Sequence, residues 1–254
     1  MNQADPLGMP ITTARNRERI DALLGQSRVL NLSKPWDRDS FYQHWGEQAD
    51  TAEAILRGLY TSLTNHLKSD SASAALHPFE LSLMLRGSLT EPHALVTELD
   101  AECKSYLILF APGLFTCIAD RFFRLLSCAD HFPDVGDIRT CQTEWIDAPL
   151  ANIPSDPARM QLAMLLTIMA VLLMFYHEMA HVLRGHSAFY ASLGVQTLQE
   201  FEPLATGPIT LQSGTKPLAN SAGQAGAQDE DVIRRALEVD ADIHAGLFLA
   251  TVMQ

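Results

Sequence analysis

The sequence has few basic residues, and its longest apolar run is short for a bilayer-spanning helix. Its 18 Lys and Arg stand against 30 Asp and Glu, which gives a formal net charge of −12 over 254 residues. Proteins that bind a nucleic-acid phosphate backbone need a basic surface, so this negative net charge argues against a nucleic-acid partner. With 47% hydrophobic residues, the chain can bury a sizeable core, which excludes disorder throughout.

The longest apolar run covers residues 162–176, where Thr167 is the one polar residue among 15. A bilayer-spanning helix needs about 20 apolar residues. We therefore predict a core helix surrounded by protein and no stable membrane insertion, with a membrane anchor as the alternative. The stretch from Met1 to Ile20 lacks the apolar segment and cleavage site of a secretory signal, so we expect a cytoplasmic protein.

Cysteine is also scarce, and its spacing carries no metal or redox motif. The four cysteines are 14, 11 and 13 residues apart and include no C-x-x-C pair: Cys103, Cys117, Cys128 and Cys141. In a cytoplasmic chain we expect them to be reduced, partly buried thiols without a function of their own.

The pattern of apolar residues predicts a single α+β domain that is mainly helical, with a small antiparallel sheet beside a long buried helix. Residues 1–75 form a helical scaffold. Residues 76–130 contain three strand-like segments, joined as an antiparallel meander, and then a helix. The strand-like segments are Phe79 to Leu85, Ala94 to Leu99 and Ser105 to Phe110.

The central helix is predicted over residues 155–186, with Ser155 as cap and Pro157 in its first turn. Gly185 follows its last helical residue, Arg184. Residues 204–228 contain four Gly with interspersed Ser, Thr, Ala and Pro and no sustained apolar period. They predict a flexible loop, which could act as a lid or self-inhibitory segment. A last helix over residues 229–254 then begins with three acidic residues.

The central helix carries an HExxH motif, His177-Glu178-Met179-Ala180-His181. Positions i and i+4 share one helix face, so His177 and His181 can bind one Zn²⁺. Glu178 can take a proton from the attacking water and later give it to the leaving amine. Alternatively, all three residues are core side chains satisfied by ordinary hydrogen bonds.

A catalytic zinc needs a third protein ligand, and the best candidate lies downstream. Glu238 and Asp242 are one turn apart on a predicted helix, where two like charges repel unless a cation lies nearby. We predict Glu238 as third ligand and Asp242 as the carboxylate that accepts the outer N–H of a ligating histidine. In the alternative, Arg234 pairs with Glu238 on a surface helix. Asp240 is predicted to face the other way, into solvent.

A histidine close to the motif has the wrong spacing for a ligand. The HExxHxxGxxH pattern needs Gly and His where this sequence has Arg184 and Ser187. We therefore interpret His186 as a helix-end histidine that interacts with the C-terminal dipole.

HEMAH followed by Glu238-Val239-Asp240-Ala241-Asp242 resembles the gluzincin metallopeptidases, whose pattern is HExxH plus a later ExxxD. The longer stretch HEMAHVLRGH looks like the soluble Lit-type phage-exclusion peptidases, and the ExDAD form is similar to the CAAX-processing and heat-shock membrane gluzincins. The resemblance implies zinc held by His177, His181 and Glu238. It also implies peptide-bond cleavage and a small antiparallel sheet whose edge strand pairs with an extended substrate.

Gluzincins usually add a His, Tyr or Arg that stabilises the oxyanion, often after the glutamate helix. Here His186, Tyr190 and His244 are the available substitutes, and none has the expected spacing. We therefore predict a zinc-dependent endopeptidase acting on a protein or peptide. The alternative is a catalytically inactive, zinc-stabilised interaction or sensor domain.

Overall fold

The computed structural model describes most of the chain, and its structural features refer to those residues. The described residues are 12, 14–26, 36–68, 79–86, 89, 94–100, 102–142, 146, 148–186, 189 and 225–252. Most of the predicted loop, 204–224, lies outside them, as do Tyr190 and the side chain of Arg234.

Six α-helices and three strands make up the described part of the chain. The helices are α1 (Ala14–Gln26), α2 (Arg38–Trp45), α3 (Ala49–Leu67), α4 (Pro112–Ser127), α5 (Pro157–Leu183) and α6 (Ala225–Val252). The strands are β1 (Glu80–Leu85), β2 (Ala94–Asp100) and β3 (Ser105–Phe110). The prediction of a mainly helical α+β protein with a small sheet is confirmed. The last helix begins at Ala225, four residues before the predicted start.

The sheet is mixed, so the prediction of an antiparallel meander is wrong. Its strand order is β1-β3-β2, with β1 parallel and β2 antiparallel to β3. Five of the six residues of β3 are buried, whereas β2 ends in exposed and half-buried positions. Strands buried on both faces favour the centre of a sheet, which explains why β3 lies between the other two. The predicted antiparallel pairing of β2 with β3 is confirmed.

The connection between α4 and α5 is held by the buried side chain of Arg159. Its guanidinium donates five hydrogen bonds of 2.6–3.1 Å to backbone carbonyls of Leu126, Cys128, His131, Phe132 and Val135. These bonds use every N–H of the guanidinium, so the charge is buried without an unpaired donor. The irregular connection predicted here is thereby fixed to the first turn of α5.

The first turn of α5 is capped by Asp156, not by Ser155 as predicted. One carboxylate oxygen of Asp156 accepts from the backbone N–H groups of Ala158 and Arg159, at 2.9 and 3.0 Å. The Ser155 hydroxyl donates to the Thr140 carbonyl instead. Pro157 occupies the first turn as expected, and Gly185 follows the helix with a φ of +70°.

Helix α5 is buried at its C-terminal end and only partly covered before it. Residues Phe175 to Val182 are all buried, whereas Leu165 is 54% exposed. The prediction of a helix surrounded by protein is therefore wrong within the described residues. There, α5 is the one helix long and apolar enough to cross a membrane. Length and composition alone are weak evidence for a span, because core helices of soluble proteins meet the same criteria.

Helix α6 packs against the buried end of α5. Ala241 and Ala245 are fully buried, and such small side chains let two helices approach closely. One turn beyond them, Phe248 stacks on Tyr176 with ring centroids 5.6 Å apart. This contact brings the two halves of the predicted site together.

All four cysteines are reduced and half-buried, as predicted.

Candidate metal centre

The HExxH motif lies on the buried last turns of α5. Glu178 and His181 are fully buried and His177 is nearly so. The two imidazoles are one turn apart, as the i, i+4 spacing requires, and their ring centroids are 4.8 Å apart. Because the surrounding backbone is helical and packed, both rings are held on a rigid base.

Helix α6 brings the carboxylate of Glu238 to these rings. Its Oε2 lies 3.1 Å from His177 Nε2 and 3.8 Å from His181 Nε2, and the two Nε2 atoms are 3.1 Å apart. His177, His181 and Glu238 form a group of potential metal ligands in the described part of the chain. The structure thus brings together the three residues that the sequence analysis selected as ligands.

The spacing of these three atoms fits a small tetrahedral cation. Zinc bonds of about 2.0–2.2 Å at tetrahedral angles place neighbouring ligand atoms roughly 3.3 to 3.6 Å apart. The observed separations of 3.1, 3.1 and 3.8 Å bracket that range. Two nitrogen donors and one oxygen donor also suit zinc chemically, so the residues present fit the ion.

The outer nitrogen of His177 is held by Asp242. Its Nδ1 lies 2.8 Å from Asp242 Oδ1. A carboxylate only accepts, so the imidazole donates its Nδ1–H and a neutral ring presents the lone pair of Nε2 toward Glu238 and His181. The position of Asp242 is therefore the one expected of a carboxylate that fixes the tautomer of a ligating histidine. Its side chain is 74% exposed.

The structure corrects two predictions beside the motif. His186 is buried, and its ring lies between His181 Nδ1, at 2.8 Å, and Asp240 Oδ2, at 3.0 Å. It is thus more than a helix-end histidine. Asp240, predicted to face solvent, also accepts from Arg184 Nε at 3.0 Å. Asp240 and Asp242 lie on opposite sides of the buried Ala241, each about 100° from it around the axis of α6. The two flanks of this one helix therefore reach two parts of the site.

The carboxylate of Glu178 is buried without hydrogen-bond partners in the part of the chain that the structure describes. Both carboxylate oxygens are buried, and neither has a hydrogen-bond partner among the described residues. Burial raises the pKa of this carboxyl to about 8, although the charge of His177 acts in the opposite direction. A buried glutamate with a raised pKa can gain and lose a proton near neutral pH, as a general base must.

The two motif histidines have opposite pKa shifts. For His177, burial acts to lower the pKa, but the hydrogen bond to Glu238 and the nearby negative charges outweigh it and raise the value to about 9. Burial lowers the pKa of His181 to about 4, so this imidazole is neutral. In the absence of a cation, His177 is therefore the motif histidine that carries a positive charge at neutral pH.

The described contacts give no support for that role to the three residues predicted as possible oxyanion stabilisers. Tyr190 lies outside the described residues. His186 bridges His181 and Asp240, and His244 bonds the backbone carbonyl of Asp240 within its own helix, at 2.9 Å. The contacts of His186 with His181 and Asp240 were not predicted, because they depend on the chain turn at Gly185 and on the side of α6 that faces it. The one signal in the sequence was the position of His186, just after that glycine.

Comparison of the chain with protein-family models, with curated proteins and with solved structures finds no match.

Proposed function

We propose that this chain is a zinc-dependent endopeptidase of gluzincin type, cleaving a protein or peptide in the cytoplasm. The observation that carries the proposal is the convergence of His177, His181 and Glu238, with the buried carboxylate of Glu178 in the same turn of α5. Three protein ligands leave one position of a tetrahedral ion for water or substrate, which is typical of catalytic rather than structural zinc.

Each side chain has a distinct task in this proposal. The rings of His177 and His181 and the carboxylate of Glu238 would hold the ion. Bound zinc supplies Lewis acidity, which makes water a nucleophile near neutral pH and polarises the scissile carbonyl. Glu178 takes the proton of the attacking water and later delivers it to the leaving amine. Asp242 orients His177 through its Nδ1–H.

The edge position of β2 supports the proposal that the substrate binds in an extended conformation. Within the described sheet, β2 pairs with β3 alone and is therefore an edge strand. It packs against α5, the helix that carries the motif. An edge strand can bind an extended peptide through backbone hydrogen bonds, and we propose that the substrate binds in this way.

The test is the substitution Glu178→Gln in the full chain, loaded with zinc and incubated with a peptide library. The amide keeps the size of the side chain but removes the base, so we expect wild-type zinc content and loss of cleavage. Glu47→Gln, at an exposed position before α3, is the matched control and should cleave like wild type. Proteolysis retained by Glu178→Gln would refute the role of this residue. Wild-type protein that holds zinc but cleaves nothing would instead favour the sensor or interaction domain.

A further inference from the structure

His186 has the contacts of a residue that supports a metal ligand, although it is not itself in the ligand group. Its chain position follows the left-handed turn at Gly185, which ends α5 and directs the next side chain back toward the helix. The imidazole is buried and contacts His181 through Nδ1 and Asp240 through Nε2.

The hydrogen bonds that run from Asp240 through His186 to His181 determine which ring nitrogen of each histidine carries a hydrogen. Asp240, paired with Arg184, offers only acceptors, so His186 Nε2 carries a hydrogen and donates it. A neutral His186 then has a lone pair on Nδ1, and the hydrogen in the contact of 2.8 Å must belong to His181 Nδ1. His181 is thereby left with its lone pair on Nε2, the nitrogen that faces His177 and Glu238.

Both histidines of the motif have an acceptor for their Nδ1–H, which leaves the Nε2 lone pair facing the other ligands. The acceptor differs between the two rings. For His177, Asp242 accepts the outer N–H directly. For His181, which lies one turn further along α5, Asp240 acts through the ring of His186. Asp240 and Asp242 occupy opposite flanks of α6, so this one helix supports both rings as well as supplying the third ligand.

We propose that His186, oriented by Asp240, is a positioning residue for the zinc ligand His181. It accepts the Nδ1–H of His181, locks the orientation of that ring and keeps Nε2 unprotonated toward the ion. This inference rests on the proposed metal site and deepens it. His186 touches neither ion nor substrate, so the effect of its loss is on zinc affinity and not on the chemical step once zinc is bound.

The test compares zinc affinity in His186→Phe and His186→Gln, measured by competition with a chelator on the purified full chain. Phenylalanine keeps a flat ring but cannot accept a hydrogen bond, whereas the glutamine amide oxygen can. We expect about 10- to 100-fold weaker zinc binding in His186→Phe, the usual cost of losing such a support, and substantial rescue in His186→Gln. His131→Phe, which alters an exposed histidine in the connection before α5, should bind zinc like wild type. Equal affinity in His186→Phe and wild type would overturn the proposal.

A second measurement keeps the inference testable if a variant fails to fold. Histidine ¹⁵N NMR of metal-free wild-type protein reports which ring nitrogen carries the hydrogen. We expect the Nδ1–H form for His181, and the Nε2–H form would contradict the inference whatever the zinc content. Wild-type protein that binds no zinc would defeat the proposed function, while the tautomer of His181 would still decide the role of His186.

Discussion

Glu238 Oε2 lies 3.1 Å from His177 Nε2, although 61 positions separate the two residues in the chain. A helix can bring two histidines together by itself, but a ligand from a distant segment requires tertiary structure. The packing of α6, in which Ala241 and Ala245 are buried, against α5 supplies it, because the close approach of the helices carries Glu238 to the rings. The fit of the three atoms to a tetrahedral ion follows from that approach.

Substitution of Asp242 should weaken zinc binding without abolishing it. Asp242→Ala removes the acceptor of the His177 Nδ1–H, and loss of such a partner typically costs about 10- to 100-fold in metal affinity. Because this carboxylate is largely exposed, water can replace it in part, and we expect the lower end of that range. Asp242→Asn, whose amide oxygen still accepts, is the matched control and should lose less. Chelator competition measures both, and equal losses in the two variants would contradict this role.

Zinc affinity should rise with pH up to about 9. In the metal-free protein, the pKa of His177 is raised to about 9 by Glu238 and the nearby acidic groups, so zinc must displace a proton at lower pH. His181 contributes no such proton above pH 5, since burial lowers its pKa to about 4. One displaced proton corresponds to about tenfold in affinity per pH unit. Calorimetry in buffers of different ionisation enthalpy counts that proton, and an affinity that is flat from pH 6.5 to 8.5 would contradict the assignment.

Arg159 should be essential for stability although it lies outside the candidate site. Arg159→Met keeps much of the buried volume but leaves the five carbonyls around it without their donor. Each buried polar group left unsatisfied costs about 1–3 kcal/mol, so we expect the free energy of unfolding to fall by about 3 kcal/mol or more. Urea unfolding followed by circular dichroism checks this. The exposed Arg121 provides the control Arg121→Met, and a similar small change in both variants would show that the Arg159 bonds contribute little.

The parts of the fold that follow from local patterns were predictable from the sequence. The i, i+4 spacing of His177 and His181 places both on one helix face in any context, and the pairing of β2 with β3 needs only a short turn. The end of α5 was likewise predictable, because Gly185 tolerates the left-handed conformation that follows the helix.

The remaining features depend on competition between distant segments. The position of β3 between β1 and β2 reflects which strand is buried on both faces, and that depends on the helices packed around the sheet. Ser155 and Asp156 are both good helix caps, and tertiary contacts distinguish them: the Ser155 hydroxyl donates to the Thr140 carbonyl, and Asp156 also accepts the backbone N–H of Asp137. The role of Asp240 depends on where α6 lies against the end of α5, a tertiary relationship that residue spacing along α6 does not contain.

The most direct test of the account is the zinc content of the purified full chain, measured by elemental analysis for wild type and Glu238→Ala, with Glu47→Ala as control. If His177, His181 and Glu238 hold one ion, wild type and the control should contain about one zinc per chain and Glu238→Ala far less. Wild-type protein without zinc, or a Glu238→Ala variant that retains it fully, would contradict the central claim.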